Sequence, residues 1–183
     1  MATRVTRQIA CVVALVLGSP LLGAQHTPPS AYQWAALAAD VPVLVLYAVA
    51  LQESGWTWQR RFVPWPWTLN IAGEPHRFNT RSQACSALTQ ALTQVPAKRI
   101  DVGLGQLNVG FQGHRVAHPC QLLDPYRNLQ IAATILREHH TDDADWLIAA
   151  GRYHRPAGGR PASEYRRRIE QHLTRLSKAG SAP

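Results

Sequence analysis

Val43-Leu44-Val45-Leu46-Tyr47-Ala48-Val49-Ala50-Leu51-Gln52-Glu53-Ser54-Gly55-Trp56 is the stretch on which the reading of this chain turns. Every residue from Val43 to Leu51 is apolar, and a carboxylate follows two places later. A helix that is apolar on all sides is a buried one. Glu53 is therefore expected at the end of a central buried helix, where the chain emerges toward a cleft. Burial disfavours the charged form of a carboxyl group and raises its pKa. A raised pKa suits a general acid near neutral pH. The plainer alternative is a glutamate at a solvated helix end, and the local pattern leaves both open.

The flanks set the limits of this helix. Asp40-Val41-Pro42 opens it, with Pro42 near the first turn. Gly55 is expected to end it in a left-handed conformation. Upstream, 31–39 reads as a short helix with Trp34 and Leu37 turned inward. Downstream, 56–78 changes texture. It holds Trp56, Trp58, Trp65 and Trp67, with Pro64 and Pro66 among them. Residues 67–71 alternate weakly, 72–75 form a turn and 76–78 return, which predicts a small β-hairpin. Tryptophans near an acid can be platforms for sugar rings, or they can pack the hairpin onto the helices; both readings stand for different members of the set.

Further helices follow. Thr80 and Gln83 form a capping-box pattern, and Ala84, Leu88, Ala91, Leu92 and Val95 share a face. Pro96 ends this helix. In Gly103-Leu104-Gly105-Gln106-Leu107-Asn108, two glycines allow close backbone approach. The spacing does not fit a nucleotide loop. Asp124-Pro125 starts a helix with an inner stripe of Leu129, Ala132, Ala133 and Leu136. Asp142-Asp143 opens another, with Trp146, Leu147, Ala150 and Tyr153 available to the core. After a glycine-proline loop over 156–161, the last helix is expected from about Ser163, with Tyr165, Ile169, Leu173 and Leu176 inward.

The chain of 183 residues is 46% hydrophobic, as a folded domain requires. Residues 1–24 differ: Arg4 and Arg7 precede a short apolar run, and Gly23-Ala24 ends in small residues. This describes a secretory signal peptide cleaved near Ala24, with an uncleaved anchor as the alternative. Residues 25–183 then form one domain, its core at about 30–176. Removing the leader takes Cys11 with it and leaves Cys85 and Cys120. In an oxidising compartment an even pair points to one disulfide, against two separate buried thiols. No cysteine–histidine cluster has zinc spacing, and His114 and His118 read as surface residues. The net charge of +8 is concentrated near the end, in Arg166-Arg167-Arg168, Arg175 and Lys178. It is compatible with nucleic acid or with anionic envelope polymers, and export favours the envelope.

Taken together, these motifs resemble the lytic transglycosylases that carry the soluble-lytic-transglycosylase, lysozyme-like (SLT) domain. Glu53-Ser54 after an apolar helix looks like the family's catalytic motif. Gly103 to Asn108 resembles its Gly-Leu-Met-Gln segment, with glycine in place of methionine. Asp124-Pro125 through Asn128, and the alanine-rich helix that follows, resemble the next element. Ala150-Gly151-Arg152-Tyr153-His154 stands where the family has Ala-Tyr-Asn, so His154 departs from the pattern. Tyr165 with Arg166-Arg167-Arg168-Ile169 resembles the closing tyrosine helix. The resemblance covers roughly 30–176. Its flavour, from Pro64-Trp65-Pro66-Trp67-Thr68-Leu69-Asn70 and Gly151-Arg152-Tyr153-His154, is that of the transglycosylases of conjugative elements and type IV secretion systems.

The resemblance implies a mainly α, lysozyme-like fold with a small β-hairpin beside the active-site cleft. It implies a periplasmic, monomeric enzyme that cleaves the β-1,4 bond between N-acetylmuramic acid and N-acetylglucosamine with formation of a 1,6-anhydro sugar. Glu53 is the catalytic residue. Ser54, Gln106, Asn108, Tyr153 and Tyr165 contact substrate or support the site, one of the tyrosines placing a hydroxyl near Glu53. Trp56, Trp65 and Trp67 are the candidates for sugar stacking. No metal or other cofactor is needed. The partners are peptidoglycan glycan strands and the proteins of a conjugation or secretion apparatus, with no nucleic acid. Two alternatives stay close: a lysozyme-type muramidase, for which Asp101 is the nearest candidate second carboxylate, and a non-catalytic peptidoglycan-binding scaffold. A basic helical nucleic-acid binder is a third, disfavoured by the leader and the tryptophan-rich segment.

Overall fold

The computed structural model describes residues 27–141 and 144–179. The expected signal peptide with Cys11, and the helix start at Asp142-Asp143, lie outside the described residues.

The apolar run forms helix α2, Val43–Ser54. Its residues from Val45 to Leu51 are all buried, so nearly the whole circumference of the helix faces protein. Pro42 precedes it, as its fixed φ and missing N–H favour. Helix α1, Ser30–Ala38, precedes α2 at a sharp bend. It does not bury Trp34 and Leu37 as the sequence suggested; these are 69% and 75% exposed. Tyr32, Ala35 and Ala36 point inward instead. Small alanines let the helix approach its neighbour closely, and Tyr32 meets Tyr47 of α2 edge to face at 4.9 Å.

Gly55 ends α2, but not in the left-handed conformation. Its φ and ψ are −55° and 135°, which lead straight into a strand. Glycine is required for another reason: a Cβ there would run into the Leu51 carbonyl and the Phe62 ring. The strand is β1, Gly55–Trp58, paired antiparallel with β2, Arg61–Pro64. This two-stranded ribbon is an addition to the hairpin expected from sequence. The expected hairpin is β3, Thr68–Ile71, with β4, Glu74–Arg77. It extends into a four-stranded sheet of order β4-β3-β5-β6, where β5 is Ile100–Val102 and β6 is Leu107–Asn108.

Helix α3, Arg81–Leu92, is capped by the Thr80 hydroxyl accepting from the Gln83 N–H at 3.2 Å. Asn108 caps the short helix α4, Val109–Gln112. Helix α5, Pro125–Glu138, starts at the Asp124 cap and buries Leu129, Ala132, Ala133 and Leu136 completely. Helix α6, Trp146–His154, is capped by Asp145. Helix α7, Gly159–Ala179, begins four residues before the expected Ser163, because Pro161 falls in its first turn, where proline costs nothing. It lays Tyr165, Ile169 and Leu176 onto the core. Cys85 and Cys120 are bridged, tying α3 to the turn before α5. The described chain is thus mainly helical, with a small β component, and no single described helix is long and apolar enough to cross a membrane.

Candidate active site

Glu53 sits in the last turn of α2, on the wall of a cleft of about 720 Å³. The same cleft is lined by Asn70 of β3, Asp101 of β5, Gln106 and Asn108, and by Tyr153 and His154 of α6. The buried helix thus delivers one carboxyl group to the cleft, and the four-stranded sheet faces it.

Burial pushes the Glu53 carboxyl up to about 7. The hydrogen bond from Tyr165 works against this, and the charge of Asp101 adds to it. The C-terminal end of a helix disfavours a negative charge as well. Tyr165 Oη donates to Glu53 Oε1 at 2.6 Å. Burial and the neighbouring carboxyl hold the Tyr165 phenol well above its ordinary range, so it remains a proton donor in that bond.

Ser54 is fully buried and does not face the cleft. Its hydroxyl reaches the Ala50 carbonyl at 3.0 Å and the Leu104 carbonyl at 2.8 Å, joining the end of α2 to the glycine loop. That loop is held from three sides. Tyr153 Oη donates to the Gly105 carbonyl at 2.6 Å. Asn128 accepts from the Gly105 N–H at 2.8 Å and donates to the Val102 and Leu122 carbonyls at 2.9 and 2.8 Å. A Cβ on Gly103 or Gly105 would collide with Asn128 or with the Tyr153 hydroxyl. Both glycines are therefore needed for close approach.

Gln106 has a φ of 45°, a costly conformation for a residue with a side chain. Its amide donates to the Thr68 and Gly103 carbonyls at 3.3 and 2.9 Å while the residue lines the cleft. Asn108 also lines the cleft, but its amide is engaged: it holds Asp101 Oδ1 at 2.9 Å and caps α4.

The two tyrosines divide their roles. Tyr165 serves the acid, and Tyr153 serves the loop. Of the candidate stacking residues, Trp56, Trp65 and Trp67 do not line the cleft. Trp65 donates its indole N–H to the Phe78 carbonyl at 2.8 Å, and Trp67 packs against the core. Trp56 is exposed on β1.

Three positions in and around the cleft carry little signal in the sequence. Asp101 shares the cleft with Glu53, which its sequence position could not show, because sheet pairing of β5 with β3 puts it there. Burial raises its pKa, against the hydrogen bond from Asn108 and the attraction of His154. His154 stacks flat on the Tyr165 ring at 4.6 Å and 7°. Burial, Arg168 and Arg155 lower its pKa, while Asp101 raises it. Asn128 is 1% exposed and makes three bonds to backbone, a pattern visible only once the loop and helix meet. No three histidine, cysteine, aspartate or glutamate side chains cluster to hold a metal among the described residues.

Compared with protein-family models, curated proteins and solved structures, the chain has no match in any of the three. Its function has to be read from the site itself.

Proposed function

We propose that the protein is a peptidoglycan lytic transglycosylase with Glu53 as acid and then base. The observation that carries the reading is the Glu53 carboxyl at the end of a buried helix, held by the Tyr165 hydroxyl at 2.6 Å on the wall of an open cleft, with burial raising its pKa to about 7. Glu53 donates its proton to the glycosidic oxygen between N-acetylmuramic acid and N-acetylglucosamine. The bond from that oxygen to the muramic C1 breaks, and positive charge develops at C1. The Glu53 carboxylate then takes the proton of the muramic C6 hydroxyl, whose oxygen closes onto C1. The products are a 1,6-anhydromuramyl end and a free 4-hydroxyl, and Glu53 regains its proton. An internal nucleophile replaces a bimolecular step with a unimolecular one. Tyr165 steadies the carboxylate form between the two transfers. Asp101, when ionised, favours the positive charge at C1.

One observation favours a second reading. Asp101 lies in the same cleft, and a lysozyme-type muramidase needs a second carboxylate or a water-activating base. Against it, the Asp101 carboxyl already accepts a hydrogen bond from the Asn108 amide at 2.9 Å, which leaves less of it free to hold a water or to attack a sugar carbon. A non-catalytic scaffold has no use for an acid with a raised pKa and a dedicated tyrosine. The leader-like N-terminus supports a periplasmic place, and the resemblance to conjugative and type IV secretion transglycosylases supports local opening of the wall for such an apparatus. The test is Glu53→Gln on purified sacculi: clearing should be abolished while sacculus binding persists. A variant that keeps most of its clearing removes Glu53 from the mechanism.

A further inference from the structure

The ribbon β1–β2 carries an exposed aromatic and cationic surface that the cleft does not use. Trp56 and Trp58 stand two apart on β1 and so share a face of the ribbon. Arg61 is the cross-strand partner of Trp58. Trp56 and Trp58 are 44% and 49% exposed. The Arg77 guanidinium lies over the Trp56 ring at 4.7 Å. From Ser54 to Gly73 there is no aspartate or glutamate, and Glu74 stands at the far end of β4 from Arg77. At the tip, Gln59 and Arg60 both adopt positive φ, 46° and 64°. Asn-Gly would sit in such a turn with little strain. A long cation is held there instead, in a conformation that costs it stability.

We propose that this ribbon seats the protein on the surface of an anionic phospholipid bilayer. Tryptophan rings settle at the boundary between headgroups and acyl chains. Arginine matches the phosphate oxygens of the headgroup with two parallel N–H donors. A glycan strand is the competing occupant, and two features weigh against it. Arg77 already covers one face of Trp56, and Trp58 leans on Trp65 at 5.4 Å, so the open faces that sugar stacking needs are reduced. The sugar rings that would stack on the tryptophans carry no negative charge for Arg60, Arg61 and Arg77; a strand's carboxylates lie on its stem peptides, whereas a phospholipid carries its phosphate at the depth where tryptophan settles. Because β1 follows Glu53 and Ser54 directly, docking the ribbon holds the cleft next to the membrane surface.

The test uses the full chain with phosphatidylcholine vesicles, with and without phosphatidylglycerol. Co-sedimentation measures partition, and hydrogen exchange is followed over 55–64. Partition is expected to be at least tenfold stronger on the anionic vesicles and to fall with salt, with slowed exchange in the ribbon. Arg60→Asn, which suits the left-handed turn, should weaken partition about fivefold, the worth of one basic residue near such a surface. Trp58→Ser should weaken it comparably, with glycan cleavage unchanged in both variants. Equal partition on neutral vesicles, unchanged exchange over 55–64 on bound protein, or variants that partition like the parent would overturn the proposal. Protection of 55–64 by sacculi but not by anionic vesicles would assign the ribbon to glycan and overturn it too.

Discussion

Tyr165 donates its hydroxyl to the Glu53 carboxyl at 2.6 Å across 112 residues of sequence. The contact joins the last turn of the buried helix α2 to the long amphipathic helix α7. It gives the acid a fixed orientation and lowers its pKa against the larger effect of burial. Removing it alters both. Tyr165→Phe keeps the ring and its stacking with His154. It should lower kcat about 10–100-fold, the range for a hydrogen bond to a charged group. The falling limb of the pH profile should move to higher pH, since the carboxylate loses its donor. An unchanged pH profile would mean that the hydroxyl is only structural.

The pH dependence has a defined sign. A general acid must be protonated when substrate arrives. Activity should therefore be full below about pH 7 and fall as pH rises through that value. Stability follows the same window. The folded pKa of Glu53 is raised above its unfolded value, so its contribution is fully present below the unfolded pKa and lost as pH rises through about 7. Glu53→Gln cannot ionise and avoids that loss. At pH 8 it should be more stable than the parent by about 1–2 kcal/mol, after allowance for solvent in the cleft, and near-equal at pH 4. Thermal melts at the two pH values check this.

Asn128 should matter as much for the site as for the core. Asn128→Asp replaces the two N–H donors that hold the Val102 and Leu122 carbonyls with an acceptor, and puts a carboxyl in a buried place. The expected cost is about 2–4 kcal/mol in denaturant unfolding, with a matching loss of activity as the loop from Gly103 to Gln106 loosens. A variant with normal stability and activity would remove Asn128 as the anchor of that loop.

The Cys85–Cys120 bridge closes a span of 35 residues. Chain entropy assigns it about 3–4 kcal/mol as an upper figure. Reduction, or Cys85→Ser with Cys120→Ser, should lower the unfolding midpoint clearly, because α3 loses its tie to the turn before α5. The oxidised protein should show no thiol from this pair when denatured.

Much of this architecture was legible where a local rule acts alone. The run from Val43 to Leu51 reads as a buried helix because no polar residue interrupts it, and Thr80, Asp124 and Pro125 announce their helices by capping chemistry. The hairpin from Thr68 to Arg77 showed through its alternation and its turn. Pairing between distant segments was not legible. β1 and β2 were hidden by two prolines and a turn of Gln59-Arg60, which lacks the usual turn residues. The inward face of α1 differs from the one its large residues suggest, because the core beside α5 takes the small Ala35 and Ala36 and leaves Trp34 and Leu37 outside. Within the site, Glu53 followed from its helix, and a tyrosine at its carboxyl followed from the family resemblance. The approach of Asp101 depends on strand register, and the stacking of His154 on Tyr165 depends on how α6 meets α7. Neither leaves a mark on local sequence.

The reaction class is tested most directly by mass spectrometry of the muropeptides released from purified sacculi. With Glu53 acting first as acid and then as base toward the C6 hydroxyl, the muramic ends should be 1,6-anhydro, one water lighter than hydrolysis products. Asp101→Asn should slow their release without changing their mass. Hydrated, reducing ends alone from the parent enzyme would contradict the transglycosylase assignment and make Asp101 the partner of Glu53 in a hydrolase.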